Sequence, residues 1–127
     1  MNRSIQPKPL LWVGPTRKDL KKCPSEVQHV MGFALRQAQE GQKHVNAKPL
    51  KGFGGAGVLE VVEDHDGNTY RAVYTVRFAG VVYVLHVFQK KSKKGSKTPK
   101  PEVDLIKQRL KATKDDYEKQ HNAHEET

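Results

Sequence analysis

Sulfur, aromatic rings and long apolar runs are all scarce in this chain. Cys23 is its single cysteine, which excludes an intrachain disulfide and any multi-cysteine metal site. Standing just before Pro24, it reads as a residue packed at a helix entrance rather than a catalytic thiol. Aromatic residues make up only 7%, and no apolar run approaches the roughly 20 residues that span a bilayer. No N-terminal stretch has the apolar segment of a secretory signal, so the expected location is cytoplasmic, with no membrane partner. No Ser/His/Asp arrangement has a nucleophile's setting. His29, His44, His65, His86, His121 and His124 show no tight zinc spacing, and neither a metal nor a cofactor is expected.

Acidic charge is also in short supply. Fourteen Asp and Glu stand against 23 Lys and Arg, a formal net charge of +9. Such a surplus suits a polyanionic partner, because each neutralised phosphate releases condensed counterions. A basic surface kept for solubility is the alternative, but these basic residues cluster. A chain of 127 residues suits a single domain that can fold without staples.

What the chain does contain is a clear order of short elements. Residues 1–9, with Pro7 and Pro9, read as a loose leader. Leu10-Leu11-Trp12-Val13, closed by Gly14-Pro15, predicts a brief strand. Thr16 is placed to cap a short helix over Arg17–Lys22. Pro24-Ser25-Glu26 opens a better one, in which Val27, Val30, Met31, Ala34, Leu35 and Ala38 recur on one face and Gly41 is the C-cap. Residues 48–57 read as a glycine-rich loop flanked by Lys48 and Lys51. The loop lacks the Gly-Lys-Ser/Thr ending of a nucleotide-binding loop and no helix follows it, so nucleotide binding is rejected.

Three strand patterns follow, over Val58–Glu63, Tyr70–Phe78 and Val81–Gln89. Asp66-Gly67 is a strong hairpin signal between the first two, and the short turns predict an antiparallel meander. Six lysines crowd positions 90–100: Lys90, Lys91, Lys93, Lys94, Lys97 and Lys100. Thr98-Pro99 then marks the entrance of a terminal helix carrying Val103, Ile106, Leu110 and Tyr117 on one face. Residues 1–112 are expected to form the domain, and 113–127 a helix end with a polar tail that frays from His121.

Alternation groups the residues that could do chemistry. Glu60 shares a face with Val58 and Val62. Arg71 shares one with Val73, Thr75 and Arg77, and His86 one with Val82, Val84, Phe88 and Lys90. Arg71 among apolar neighbours suits either a cross-strand ion pair with Glu60 or Glu63 or two-point binding of a phosphate. His86 suits a hydrogen bond inside the core or a catalytic proton donor. The lysine run continues a core strand, so its first residues are rigidly placed.

Several stretches, in order, resemble the phage-derived, HigB-like branch of the RelE/ParE toxin superfamily. They are the Pro24–Gly41 helix, Lys48-Pro49-Leu50, Leu59-Glu60-Val61, Tyr70-Arg71-Ala72-Val73-Tyr74, the run from Val84 to Ser92, and Thr98-Pro99 before an acidic-started helix. The similarity covers residues 10–112. It implies an α+β, RelE-like fold: a small antiparallel sheet with two N-terminal helices on one face, and a C-terminal helix.

The resemblance further implies a toxin of a type II toxin–antitoxin system that cleaves mRNA at the ribosome without a metal and inhibits translation. A helix-turn-helix antitoxin would neutralise it, and operator DNA would be reached only through that antitoxin. Glu60 matches the strand carboxylate that serves as a base, Arg71 the arginine on the scissile phosphate, and Lys90 and Lys91 the basic pair after the last strand. Lys48 and Lys51 lie where relatives keep RNA-binding lysines, and Arg77, Lys93 and Lys94 join them as candidate RNA contacts. Many relatives carry an arginine two residues after the glutamate, where this chain has Val62. The same fold also supports a ParE-like inhibitor of a topoisomerase that cuts nothing, or a nucleic-acid-binding module without catalysis.

Overall fold

The computed structural model describes residues 6–55, 57–90 and 97–125. In chain order the elements are β1 (Leu10–Trp12), α1 (Thr16–Lys21), α2 (Ser25–Gln39), β2 (Ala47–Pro49), β3 (Val58–His65), β4 (Asn68–Thr75), β5 (Val82–Lys90) and α3 (Lys100–Glu125). The strands form one sheet in the order β1-β5-β4-β3-β2. β1 runs parallel to β5, and every other pairing is antiparallel. The class is α+β, as expected.

Strand alternation divides the interior into two layers. Leu59, Val61, Tyr70, Ala72, Tyr74, Val82 and Val84 turn to one face, where they pack with Leu20 of α1 and with Val27, Met31, Ala34, Leu35 and Ala38 of α2. Val58, Val73, Tyr83 and Leu85 turn to the other face and pack with Ile106 of α3. The helical spacing read in residues 25–39 is therefore the face that buries.

The β3–β4 hairpin closes more tightly than the run of polar residues suggests. β3 continues through His65 and β4 begins at Asn68, leaving Asp66 and Gly67 alone in the turn. Both have positive φ, 50° and 79°, the conformation that a two-residue hairpin loop matching strand twist demands.

Four local expectations are corrected. Thr16 does not cap α1: it is the first helical residue, and its hydroxyl is buried with no hydrogen-bond partner among the described residues. β2 appears inside the stretch read as a loop, pairing Ala47, Lys48 and Pro49 with Val61, Glu60 and Leu59. It is a three-residue edge strand, and the edge is where a proline without an N–H is tolerated. The helix α3 runs on to Glu125. The Tyr117 hydroxyl donates to the Ala79 carbonyl at 2.9 Å and its ring rests on Phe78, which ties down the polar half of that helix.

The fourth correction lies in β5. Val73 pairs with His86 and Tyr74 with Val84, so Leu85 is an extra residue, a β-bulge. Leu85 and His86 therefore both turn toward α3. Val82 and Val84 remain on the α1/α2 side, while His86, Phe88 and Lys90 do not join them.

Candidate active site

Glu60 of β3 and Arg71 of β4 leave the face of the sheet that α3 covers. Glu60 pairs with Val73 and Arg71 with Val62, so the two side chains are diagonal neighbours, within reach of long groups. An Arg71 terminal nitrogen donates to Glu60 Oε1 at 2.9 Å. The side chains are 3% and 10% exposed, so this is a buried ion pair whose desolvation is offset only by close mutual contact and further hydrogen bonds. Glu63, the other possible partner, pairs with Tyr70 and so belongs to the opposite face.

Thr98 completes the arrangement. Its hydroxyl donates to Glu60 Oε2 at 2.5 Å and lies 3.4 Å from the same Arg71 nitrogen. In the sequence Thr98 signals only a helix entrance. No local pattern reveals that a residue 38 positions after Glu60 returns to meet it.

β5 forms one flank. Phe88 lies opposite Arg71 and Lys90 opposite Thr69, on the same face as the ion pair. Lys90 Nζ donates to the Lys97 carbonyl at 2.7 Å. His86 Nε2 is 2.7 Å from Glu102 Oε2 in the first turn of α3, and Nδ1 is 3.3 Å from an Arg109 nitrogen. A guanidinium can only donate, so Nδ1 accepts and Nε2 donates to Glu102. With both nitrogens engaged and its ring stacked on Phe88, His86 tethers α3 to the sheet rather than standing open to a substrate.

Cations line the other flank. Lys48 is paired with Glu60 across β2–β3, so its exposed side chain leaves the face that carries the carboxylate. Lys51 is exposed in the turn just beyond. Lys107 of α3 lies 5.9 Å above the Phe53 ring. Arg77 is not brought to this group. β4 ends at Thr75, and Arg77 is exposed beyond it, packed over Gly57. Lys91, Lys93 and Lys94 lie outside the described residues. Cys23 sits on the α1/α2 side of the sheet, where burial, and to a lesser degree Asp19, pushes its thiol up, which disfavours the reactive thiolate.

Residues 18–111 match the family model described as "Phage derived protein Gp49-like". The chain belongs to this family. Among curated proteins, none matches the chain. A chain of the toxin–antitoxin complex RelBE2 from Mycobacterium tuberculosis aligns with it at a TM-score of 0.45 and 20% identity, over 72% of this chain and 100% of that one. Family membership rests on the sequence match and not on that alignment. No helix among the described residues is long and apolar enough to cross a membrane.

Proposed function

We propose that this chain is a HigB-like toxin that cleaves mRNA on the ribosome and is held inactive by a helix-turn-helix antitoxin in the cytoplasm. The observation that carries the reading is the juxtaposition of Glu60, Arg71 and Thr98 on a sheet face bordered by Lys48 and Lys90. RNA carries its own nucleophile, the ribose 2′-hydroxyl, so cleavage needs three things from the protein. It must remove the hydroxyl proton, stabilise the negative charge that builds on the phosphate, and protonate the leaving 5′-oxygen.

Glu60 is the base, accepting the 2′-hydroxyl proton once the hydroxyl comes within hydrogen-bond reach. Arg71, with Lys90 and Lys48 beside it, supplies fixed positive charge where the transition state gains negative charge. Lys90, next to Arg71 on the same face, protonates the leaving oxygen. Lys91, Lys93 and Lys94, which follow Lys90 in the sequence, and the exposed Lys51 and Arg77 are the further candidate RNA contacts. The ribosome supplies the bent mRNA geometry that in-line attack requires.

The test is primer extension on mRNA from translating ribosomes incubated with purified protein. Discrete 3′ truncations that appear with wild type and vanish with Glu60→Gln are expected. An intact message, with topoisomerase-dependent supercoiling inhibited instead, would refute the nuclease reading.

A further inference from the structure

We infer that Thr98 is a positioning residue of this site, one that fixes the orientation of the Glu60 carboxylate for proton abstraction; the inference rests on the nuclease reading. The outermost torsion of a glutamate side chain is broad, with two-fold symmetry, so one contact leaves the carboxylate free to swing. Arg71 holds Oε1 and Thr98 holds Oε2. Two different donors on the two oxygens determine the plane, and each oxygen keeps a lone pair for a third partner. The Thr98 hydroxyl has one proton and directs it to Glu60, while its oxygen faces the Arg71 guanidinium. Thr98 thus ties the base to the phosphate-binding cation.

The short strap carrying Thr98 is itself fixed at both ends. On one side Lys90 holds the Lys97 carbonyl. On the other, Pro99 restricts its own φ and accepts the Val103 N–H as α3 begins. One turn further on, Glu102 is anchored by the buried His86. A hydroxyl on such a strap loses little freedom when it binds Glu60, which is how preorganised sites hold their reacting groups. A tie needed only to dock α3 would not require this placement, because His86–Glu102, Arg109 and Ile106 already dock the helix to β5 and the sheet.

Three variants test the assignment by single-turnover cleavage on ribosome-bound mRNA. Thr98→Val keeps the shape and loses the hydroxyl, so the cleavage rate should fall about 10- to 100-fold, as small misplacements of reacting groups do, with half-saturation unchanged. Thr98→Ser keeps the hydroxyl and should stay within about threefold of wild type, since the donor is what matters. Thr98→Ala likewise removes the donor, should slow cleavage to a similar degree, and covers the case in which the valine variant does not fold. A wild-type rate in the folded valine or alanine variant overturns the inference. So does a serine variant as slow as the valine one, which would make the methyl group the important part. If wild type itself cleaves no mRNA, the nuclease reading has failed, and that is visible before any variant is compared.

Discussion

Val62 stands directly opposite Arg71 across the β3–β4 ladder. It is half-buried and apolar, on the same sheet face as the ion pair. Val62→Arg should therefore set a further guanidinium beside the ion pair, free to reach RNA phosphate. RNA affinity at low salt should rise, with the salt slope steeper by about 0.7 for one added phosphate contact on single-stranded RNA. Stability should fall slightly, since like charges directly opposite one another repel. Binding isotherms at several salt concentrations check this, and an unchanged slope would mean that position 62 does not face the RNA.

Removing Arg71 is more than a functional change. Arg71→Ala leaves Glu60 buried without its cation, and breaking one partner of a buried pair costs about 3–5 kcal/mol. Urea denaturation should show a loss of that size. Replacing both residues by apolar ones of similar volume should recover most of it while growth arrest stays abolished. A folded, stable Arg71→Ala protein would show that Glu60 finds another partner.

Glu60→Gln keeps the shape and one acceptor oxygen but cannot take a proton. Cleavage should drop about 10²- to 10⁴-fold, while ribosome affinity remains near wild type. A loss of only a few-fold in single-turnover cleavage would reduce Glu60 to a support for Arg71.

Lys48 and Arg77 separate the two ends of the basic surface. Lys48 neighbours Glu60 in register, whereas Arg77 lies beyond the far end of β4. Lys48→Ala should lower the RNA salt slope by about 0.7, with stability unchanged because the side chain is exposed. Arg77→Ala should lower it less. Equal slopes in the two variants would place the RNA along the whole sheet edge and not over the ion pair.

Tyr74 gives the fold a pH limit. Its hydroxyl is buried with no hydrogen-bond partner among the described residues, and burial pushes it up to about 12. An unfolded tyrosine ionises near 10. Between those values unfolding releases a proton, so stability is full below about pH 10 and falls as pH rises toward about 12. The shift corresponds to about 2–3 kcal/mol. Tyr74→Phe should match or exceed wild type at neutral pH and show a shallower decline from pH 10 to 11.5 in urea titrations. Parallel curves for the two proteins would remove Tyr74 from this role.

Periodic features of the chain were legible, and long-range ones were not. The apolar face of α2 follows from spacing alone, as does the Asp66-Gly67 turn from its backbone demands. Glu60 and Arg71 could each be singled out by charge on an apolar strand, but only the register makes them diagonal neighbours, and register depends on the whole sheet. Thr98 was invisible as a site residue because its partners come from β3 and β4. Pro49 and four nearby glycines, at positions 52, 54, 55 and 57, disguised β2 as a loop.

The bulge at Leu85 controls more than local geometry. With strict alternation, His86, Phe88 and Lys90 would emerge beside Val82 and Val84, under α1 and α2. One additional residue rotates the outer half of β5 by half a period and delivers all three to the Arg71 side. The site is thus sensitive to chain length in a way that it is not to side-chain identity. Deleting Leu85 would restore strict alternation and still leave His86, Phe88 and Lys90 on the Arg71 side, because Val84 and His86 already face consecutive partners on β4. Removing one residue between His86 and Lys90 would instead turn Lys90 under α1 and α2, so a single lost codon there would misplace the lysine with Glu60, Arg71 and Thr98 all unchanged.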